Sequence, residues 1–179
     1  MNKLVISLLC GLSLSFLTQA ADNTQEKPAG RATIEWQNPD EYVDVRPSNQ
    51  SKKRFQTSTF NKLEAFVEKL AEALPEGQTL SMTVTNLDLA GHVWPGHMAG
   101  MNSTQEIRVI KRVDIPRMYF SYQLFDANGK VIKEGEEELK DMSFQERNIG
   151  RIQNDSLRYE KNMLERWFNK TLMPTSAEN

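Results

Sequence analysis

Between Phe55 and Leu74 the apolar residues return at three- and four-residue intervals. Phe55, Leu63, Phe66, Val67, Leu70 and Leu74 fall on one face, and Lys62, Glu64, Glu68, Lys69 and Glu72 on the other. That spacing predicts an amphipathic helix, with Ser48, Asn49 or Ser51 as its cap and Pro75-Glu76-Gly77 as its stop. The period then changes to two. Leu80, Met82 and Val84 alternate with Ser81, Thr83 and Thr85, after which Leu87 and Leu89 fall on the opposite parity. A one-residue slip turns every later side chain over, so a bulge is expected near Asn86.

A second alternating run, Met118-Phe120-Tyr122-Leu124 against Tyr119-Ser121-Gln123-Phe125, leads into the turn signal Asp126-Ala127-Asn128-Gly129 and a returning strand over Val131–Glu138. Aromatics on both faces of the 118–125 strand predict a central strand covered on both sides for part of its length. Thr33–Trp36 and Ile107–Ile110 are shorter strand candidates. A closing helix is expected from about Asp155 to Leu172, with Leu157, Leu164, Phe168 and Leu172 buried and Tyr159, Met163 and Trp167 flanking them. Together these predict an α+β fold: an antiparallel sheet of three to five strands with two long amphipathic helices packed on one face.

The first residues carry a different pattern. Lys3 precedes an apolar run from Leu4 to Leu17, and Thr18-Gln19-Ala20 ends in a small residue. A run of about 14 residues crosses only about 21 Å as a helix, short of a membrane span. Residues 1–20 therefore read as a signal peptide cleaved after Ala20, with no stable membrane insertion afterwards. Cys10 raises a lipoprotein alternative, but Leu9 precedes it where a small residue is required, and the apolar run continues beyond it. Cys10 is the only cysteine, so the processed chain would have neither disulfide nor thiolate chemistry. Residues 21–32, polar from Asp22 to Gly30, read as a flexible leader. Residues 33–173 read as one domain, and 174–179 as a disordered tail.

Charge narrows the choice of partner. Lys plus Arg number 22 against 24 Asp plus Glu, a net charge of −2, which offers no broad electrostatic attraction to nucleic acid or anionic lipid.

Five segments in order carry a likeness to a known family: Trp36-Gln37-Asn38-Pro39 through Asp44-Val45-Arg46-Pro47; Leu87-Asp88-Leu89-Ala90-Gly91; Pro116-Arg117-Met118 with Phe120-Ser121-Tyr122; Gly135-Glu136-Glu137-Glu138-Leu139-Lys140-Asp141; and Tyr159-Glu160-Lys161 with Trp167-Phe168. In these the chain, over about Thr33 to Leu172, resembles the bacterial family catalogued as domain of unknown function 3016. The resemblance implies an exported, periplasmic protein of Gram-negative bacteria with no established activity, and it supplies no catalytic residue.

Candidate chemistry is sparse. Both histidines lie in the glycine-rich segment from Gly91 to Met101, read here as a surface loop. His92, His97, Met98 and Met101, with Asp88 nearby, offer donors for copper or zinc, and Trp94 could cap a soft cation. A five-residue histidine spacing matches neither a helical pair nor a finger, so a mobile loop is the simpler reading. Asp44, Arg46 and Asp88 are polar residues able to hold a ligand or to fix their own loop, and Pro39 and Pro47 bracket a segment that needs internal hydrogen bonds. The Glu134–Glu138 acidic run reads as a solvated strand end.

Enzyme templates are absent: no Gly-x-Ser-x-Gly elbow, no His-Glu-x-x-His, no phosphate-binding glycine loop. Three readings stand. The first is a periplasmic, non-enzymatic binding or accessory module acting on an envelope protein or polymer, with no cofactor implied. The second is copper or zinc binding through His92–Met101. The third is a hydrolase built on carboxylates, which need no sequence signature.

Overall fold

The computed structural model describes residues 30–147 and 150–173. The expected signal peptide, the first part of the leader and the expected tail lie outside the described residues. Eight elements follow in order: β1 (Ala32–Trp36), α1 (Lys52–Ala71), β2 (Thr79–Asp88), β3 (His92–Pro95), β4 (Glu106–Val109), β5 (Arg117–Phe125), β6 (Val131–Lys140) and α2 (Arg158–Thr171). No helix among the described residues is long and apolar enough to cross a membrane.

The main sheet has the order β1-β2-β5-β6, and β3 pairs with β4 in a separate two-stranded sheet. The class is α+β as expected, but the sheet is mixed. β1 runs parallel to β2, pairing Ile34 with Met82 and Trp36 with Val84. The reason is the connection. A 20-residue helix between the two strands carries the chain back to the end where β1 began, so β2 must leave in the same direction. The remaining main-sheet pairs, β2–β5 and β5–β6, are antiparallel.

Cross-strand register places the apolar positions on one face. Leu80, Met82 and Val84 lie opposite Leu124, Tyr122 and Phe120. Both helices contribute to the core against them: Leu63, Val67 and Ala71 from α1, and Met163, Leu164, Trp167 and Phe168 from α2. Trp167 meets Phe120 and Tyr122 edge-on, at centroid distances of 4.8 and 5.2 Å. On the opposite face Ser81, Thr83, Ser121, Gln123, Glu134 and Glu136 line a shallow concavity that no helix among the described residues covers. Tyr119 lies on the open face bonded to Glu138, whereas Phe125, at the end of the strand, is buried apart from the core cluster that holds Leu124.

The bulge is where the parity slip placed it. Register shifts between Val84 and Asn86, leaving Thr85 on the outside and returning Leu87 to the core opposite Met118. In α1 the buried line is Phe60-Leu63-Val67-Ala71, one step around from the expected centre, so Leu70 is only half-buried. α1 is capped by Ser51, whose hydroxyl accepts from the Arg54 N–H.

The second helix is shorter than expected, 14 residues. Asp155 does not begin the helix. Its side chain accepts the Leu157 N–H at 2.8 Å and its carbonyl accepts the Arg158 N–H at 3.2 Å, closing a turn ahead of the first helical residue. At the other end of the domain, Gly30–Ala32 of the expected leader are tied down. Glu68 accepts the Arg31 and Ala32 N–H groups at 3.0 and 2.6 Å, and the Arg31 guanidinium donates to the Ala71 and Leu74 carbonyls past the end of α1.

Candidate functional site

The segment from Gly91 to Met101 is not a loop. His92–Pro95 form β3, paired with β4 through His92–Val109 and Trp94–Ile107, and Gly96–Ala99 form a single 3₁₀ turn. His92 and His97 are both exposed, and Met98 and Met101 point to solvent as well. His92 Nδ1 lies 3.8 Å from Asp44 Oδ2. No group of three or more His, Cys, Asp or Glu able to hold a metal forms among the described residues. The Trp94 ring is covered by Lys111, whose Nζ sits 3.7 Å from its centre.

Asp44, Arg46 and Asp88 come together at the end of β2. Asp44 and Asp88 form a parallel bridge, and the Leu89 N–H donates to the Asp44 carbonyl at 3.2 Å. Each carboxylate holds a different arginine. Asp44 takes both ends of Arg108, at 2.9 and 3.2 Å, and Arg108 also donates to the carbonyls of Gly91 at 3.0 Å and Arg46 at 2.8 Å. Asp88 accepts from Arg117 at 2.7 Å. Burial pushes the Asp88 carboxyl up from its ordinary range, and Arg117 opposes that shift. Arg46 is exposed and pairs with Glu106. All three residues thus engage neighbouring segments of the chain.

Arg108 and Gly91 set the floor of what lies beyond. Gly91 has φ +82°, and a Cβ there would stand 2.6 Å from the Val109 carbonyl oxygen, so only glycine allows β2 to turn closely into β3. The Ala90 N–H beside it points at α2, where Glu160 Oε1 accepts it at 2.8 Å. Glu160 is 2% exposed. Its other carboxyl oxygen, Oε2, is buried and bonds to no other residue among the described residues. Burial pushes this carboxyl up from its ordinary range; the N–H groups of Ala90 and of Glu160 itself and, more remotely, Arg108 and Arg158 oppose that shift.

Glu160 lines a cleft of about 340 Å³ bounded by three parts of the fold. α1 supplies Phe55, Ser58, Thr59 and Lys62; the β2–β3 corner and the end of β4 supply Leu89, Ala90, Arg108 and Ile110; the start of α2 supplies Ser156 to Glu160. The walls are mixed, with Phe55, Leu89, Ile110, Leu157 and Tyr159 giving apolar surface. Arg158 lies over the Tyr159 ring at 4.4 Å and donates to the Tyr159 hydroxyl at 3.1 Å. Lys62 Nζ donates to Ser156 Oγ at 3.4 Å. Neither Lys62 nor Arg158 forms an ion pair among the described residues, whereas Lys161 next door is held by Asp155 at 2.5 Å.

Chemically, the cleft offers one buried carboxyl, two unpaired cations at its rim and several hydroxyls. Among its described lining residues Glu160 is the sole carboxylate, so the two-acid arrangement of a glycoside hydrolase is not assembled here. Sequence reasoning passed over Glu160, Arg108, Lys62 and Arg158. One signal was present: Glu160 falls between Leu157 and Leu164 on the apolar stripe of α2, and an acid at a core position is seldom incidental.

No curated protein and no solved structure matches the chain. The family described as Protein of unknown function (DUF3016) matches residues 30–170. Four of the five segments that carry the likeness meet around this site: Asp44 and Arg46 beside Leu87–Gly91, Arg117 on Asp88, and Glu160 on Ala90. The chain therefore belongs to the DUF3016 family, whose function is unknown.

Proposed function

We propose that the protein is an exported, periplasmic binding module that holds a small ligand in the cleft between α1, α2 and the β2–β3 corner. The observation that carries this reading is the buried carboxyl of Glu160 in the cleft lining, whose Oε2 bonds to no other residue among the described residues. A buried carboxyl oxygen without a partner costs stability that an apolar residue would avoid, and a ligand that bonds to it offsets the cost. A cleft of about 340 Å³ lies at the lower end of the range of about 300 to 1,000 Å³ typical of small-molecule sites, and its blend of apolar wall and few polar groups is the usual composition of one. Binding without turnover accords with the single acid.

Native mass spectrometry tests the reading on protein expressed with its leader in a Gram-negative host and recovered by osmotic shock. The expected result is a non-covalent adduct, lost in Ser58→Trp, where an indole on the exposed side of α1 fills the cleft mouth. Ligand-free wild-type protein, or an adduct retained by that variant, would count against the cleft. Export is checked on the same material. Its N-terminus is expected at Ala21; an intact Met1 in the cytoplasmic fraction, or an acylated Cys10, would refute the assignment.

A further inference from the structure

We propose that the ligand of this cleft is a small organic anion with an apolar body, its acid group held by Lys62 and Arg158 at the mouth and a polar atom of its body meeting Glu160 Oε2 at the closed end. The inference rests on the cleft being the binding site and adds the chemical class of what enters it. Lys62 bonds to Ser156 and Arg158 to the carbonyl of Asp155, so one two-residue turn gathers both cations at the same rim. The other basic side chains nearby are engaged: Arg108 by Asp44 and Arg46 by Glu106. Asp155, the carboxylate whose charge Lys62 feels, is itself bonded to Lys161, so an acid group arriving between Lys62 and Arg158 meets two cations that form no ion pair among the described residues, and forms charge-assisted bonds.

Depth orders the rest. Lys62 is exposed, Arg158 half-buried and Glu160 buried, so a ligand anchored at the rim runs past Phe55, Leu89 and Leu157 before reaching the carboxyl. Burial favours the neutral acid at Glu160, and with Oε1 occupied by the Ala90 N–H the proton on Oε2 is free to be donated. The matching ligand atom is a hydrogen-bond acceptor, such as a ketone or ester oxygen. A divalent cation does not suit this place, since one carboxyl faces Arg108 and Arg158 with no second acid in the lining.

Calorimetry on the mature protein with octanoate, octyl phosphate, octylammonium and 7-oxooctanoate tests the assignment. Octanoate and octyl phosphate are expected to bind, more weakly at high salt, and octylammonium not to bind. Comparing the two anions tells carboxylate from phosphate preference. Lys62→Gln with Arg158→Gln should weaken both anions by about tenfold or more, as loss of charge-assisted bonds requires. The keto acid should bind several-fold tighter than octanoate. Glu160→Gln should keep that preference, because its amide N–H₂ replaces the donor and its oxygen still accepts from Ala90.

Octylammonium binding as well as octanoate does, or anion affinity unchanged in the double variant, would overturn the anion assignment. Loss of the keto preference in a folded Glu160→Gln protein would overturn the donor role. If none of the four probes binds, or all still bind to Ser58→Trp, it is the cleft itself that fails as the site.

Discussion

Arg108 holds Asp44 across 64 positions of sequence with both ends of its guanidinium, at 2.9 and 3.2 Å. The same group donates to carbonyls on either side of the corner, Gly91 and Arg46. One side chain thus closes the loop after β1, the β2–β3 turn and β4 onto each other. A planar fork is required, because a lysine ammonium cannot span both carboxylate oxygens and reach the two carbonyls.

Asp44→Asn is accordingly expected to destabilise the fold by about 3 kcal/mol, the lower end of what breaking a buried pair costs, since the Arg108 side chain keeps 20% exposure. Arg108→Lys should not restore stability. Urea titrations of the two single variants and the double variant check this through the coupling energy, expected between about 0.5 and 3 kcal/mol. Independent, additive costs would show that the pair is incidental.

Packing gives an ordering that separates two leucines of similar sequence context. Leu63→Ala should cost about 2 to 5 kcal/mol, as Leu63 is 0% exposed among Val84, Phe60 and Leu164 of the same core. Leu70→Ala should cost less, because Leu70 is half-buried, and Lys69→Ala under about 0.5 kcal/mol. Denaturant midpoints rank them; Leu70 costing as much as Leu63 would contradict the observed face of α1.

That ordering also shows what local pattern can and cannot carry. Period and parity place α1, the bulge at Thr85 and the hairpin of β5 with β6, because each depends on neighbours within a few residues. They place the helical stripe only to within one step, and Leu70 for Ala71 is the resulting error. The parallel pairing of β1 was also readable in principle, since a strand, a helix and a strand form a crossover unit, but a five-residue strand signals weakly. Of the cleft, only Glu160 on the apolar stripe of α2 left a trace in the sequence. Lys62, Ala90, Arg108 and Glu160 meet only once α1 and α2 pack side by side, and no spacing within one segment encodes that. Histidines drew attention because they are chemically conspicuous, yet strand pairing holds His92 at the surface, with Asp44 3.8 Å away.

Metal should therefore leave the protein unmoved. Saturating copper(I), copper(II) or zinc is expected to shift the melting temperature by less than about 1 °C, because a preformed site would raise it by several degrees through mass action. His92→Ala with His97→Ala should not alter the metal-free melting temperature, both side chains being exposed. A metal-dependent rise that disappears in the double variant would make the β3 hairpin a metal site.

Glu160 leaves a mark on the pH dependence of stability. Burial raises its carboxyl above the ordinary value of 4.5, so the folded protein binds a proton that the unfolded chain releases at the same pH. Stability from this group is full below the ordinary value and falls as pH rises toward the raised one, the slope being negative wherever the native state holds more protons. Glu160→Gln keeps the shape and the bond from Ala90 but cannot ionise. The difference in unfolding free energy, wild type minus variant, should therefore decline from pH 4 upward and level off once Glu160 ionises in the folded state. Taking the difference removes Asp88, whose carboxyl is also raised by burial, and Asp155, which Lys161 and the Leu157 N–H hold low against its own burial. Urea titrations across pH 4 to 9 measure it. A difference that stays flat, or rises with pH, would mean that the folded state stabilises the charged form and that Glu160 serves as an acceptor rather than a donor in the cleft.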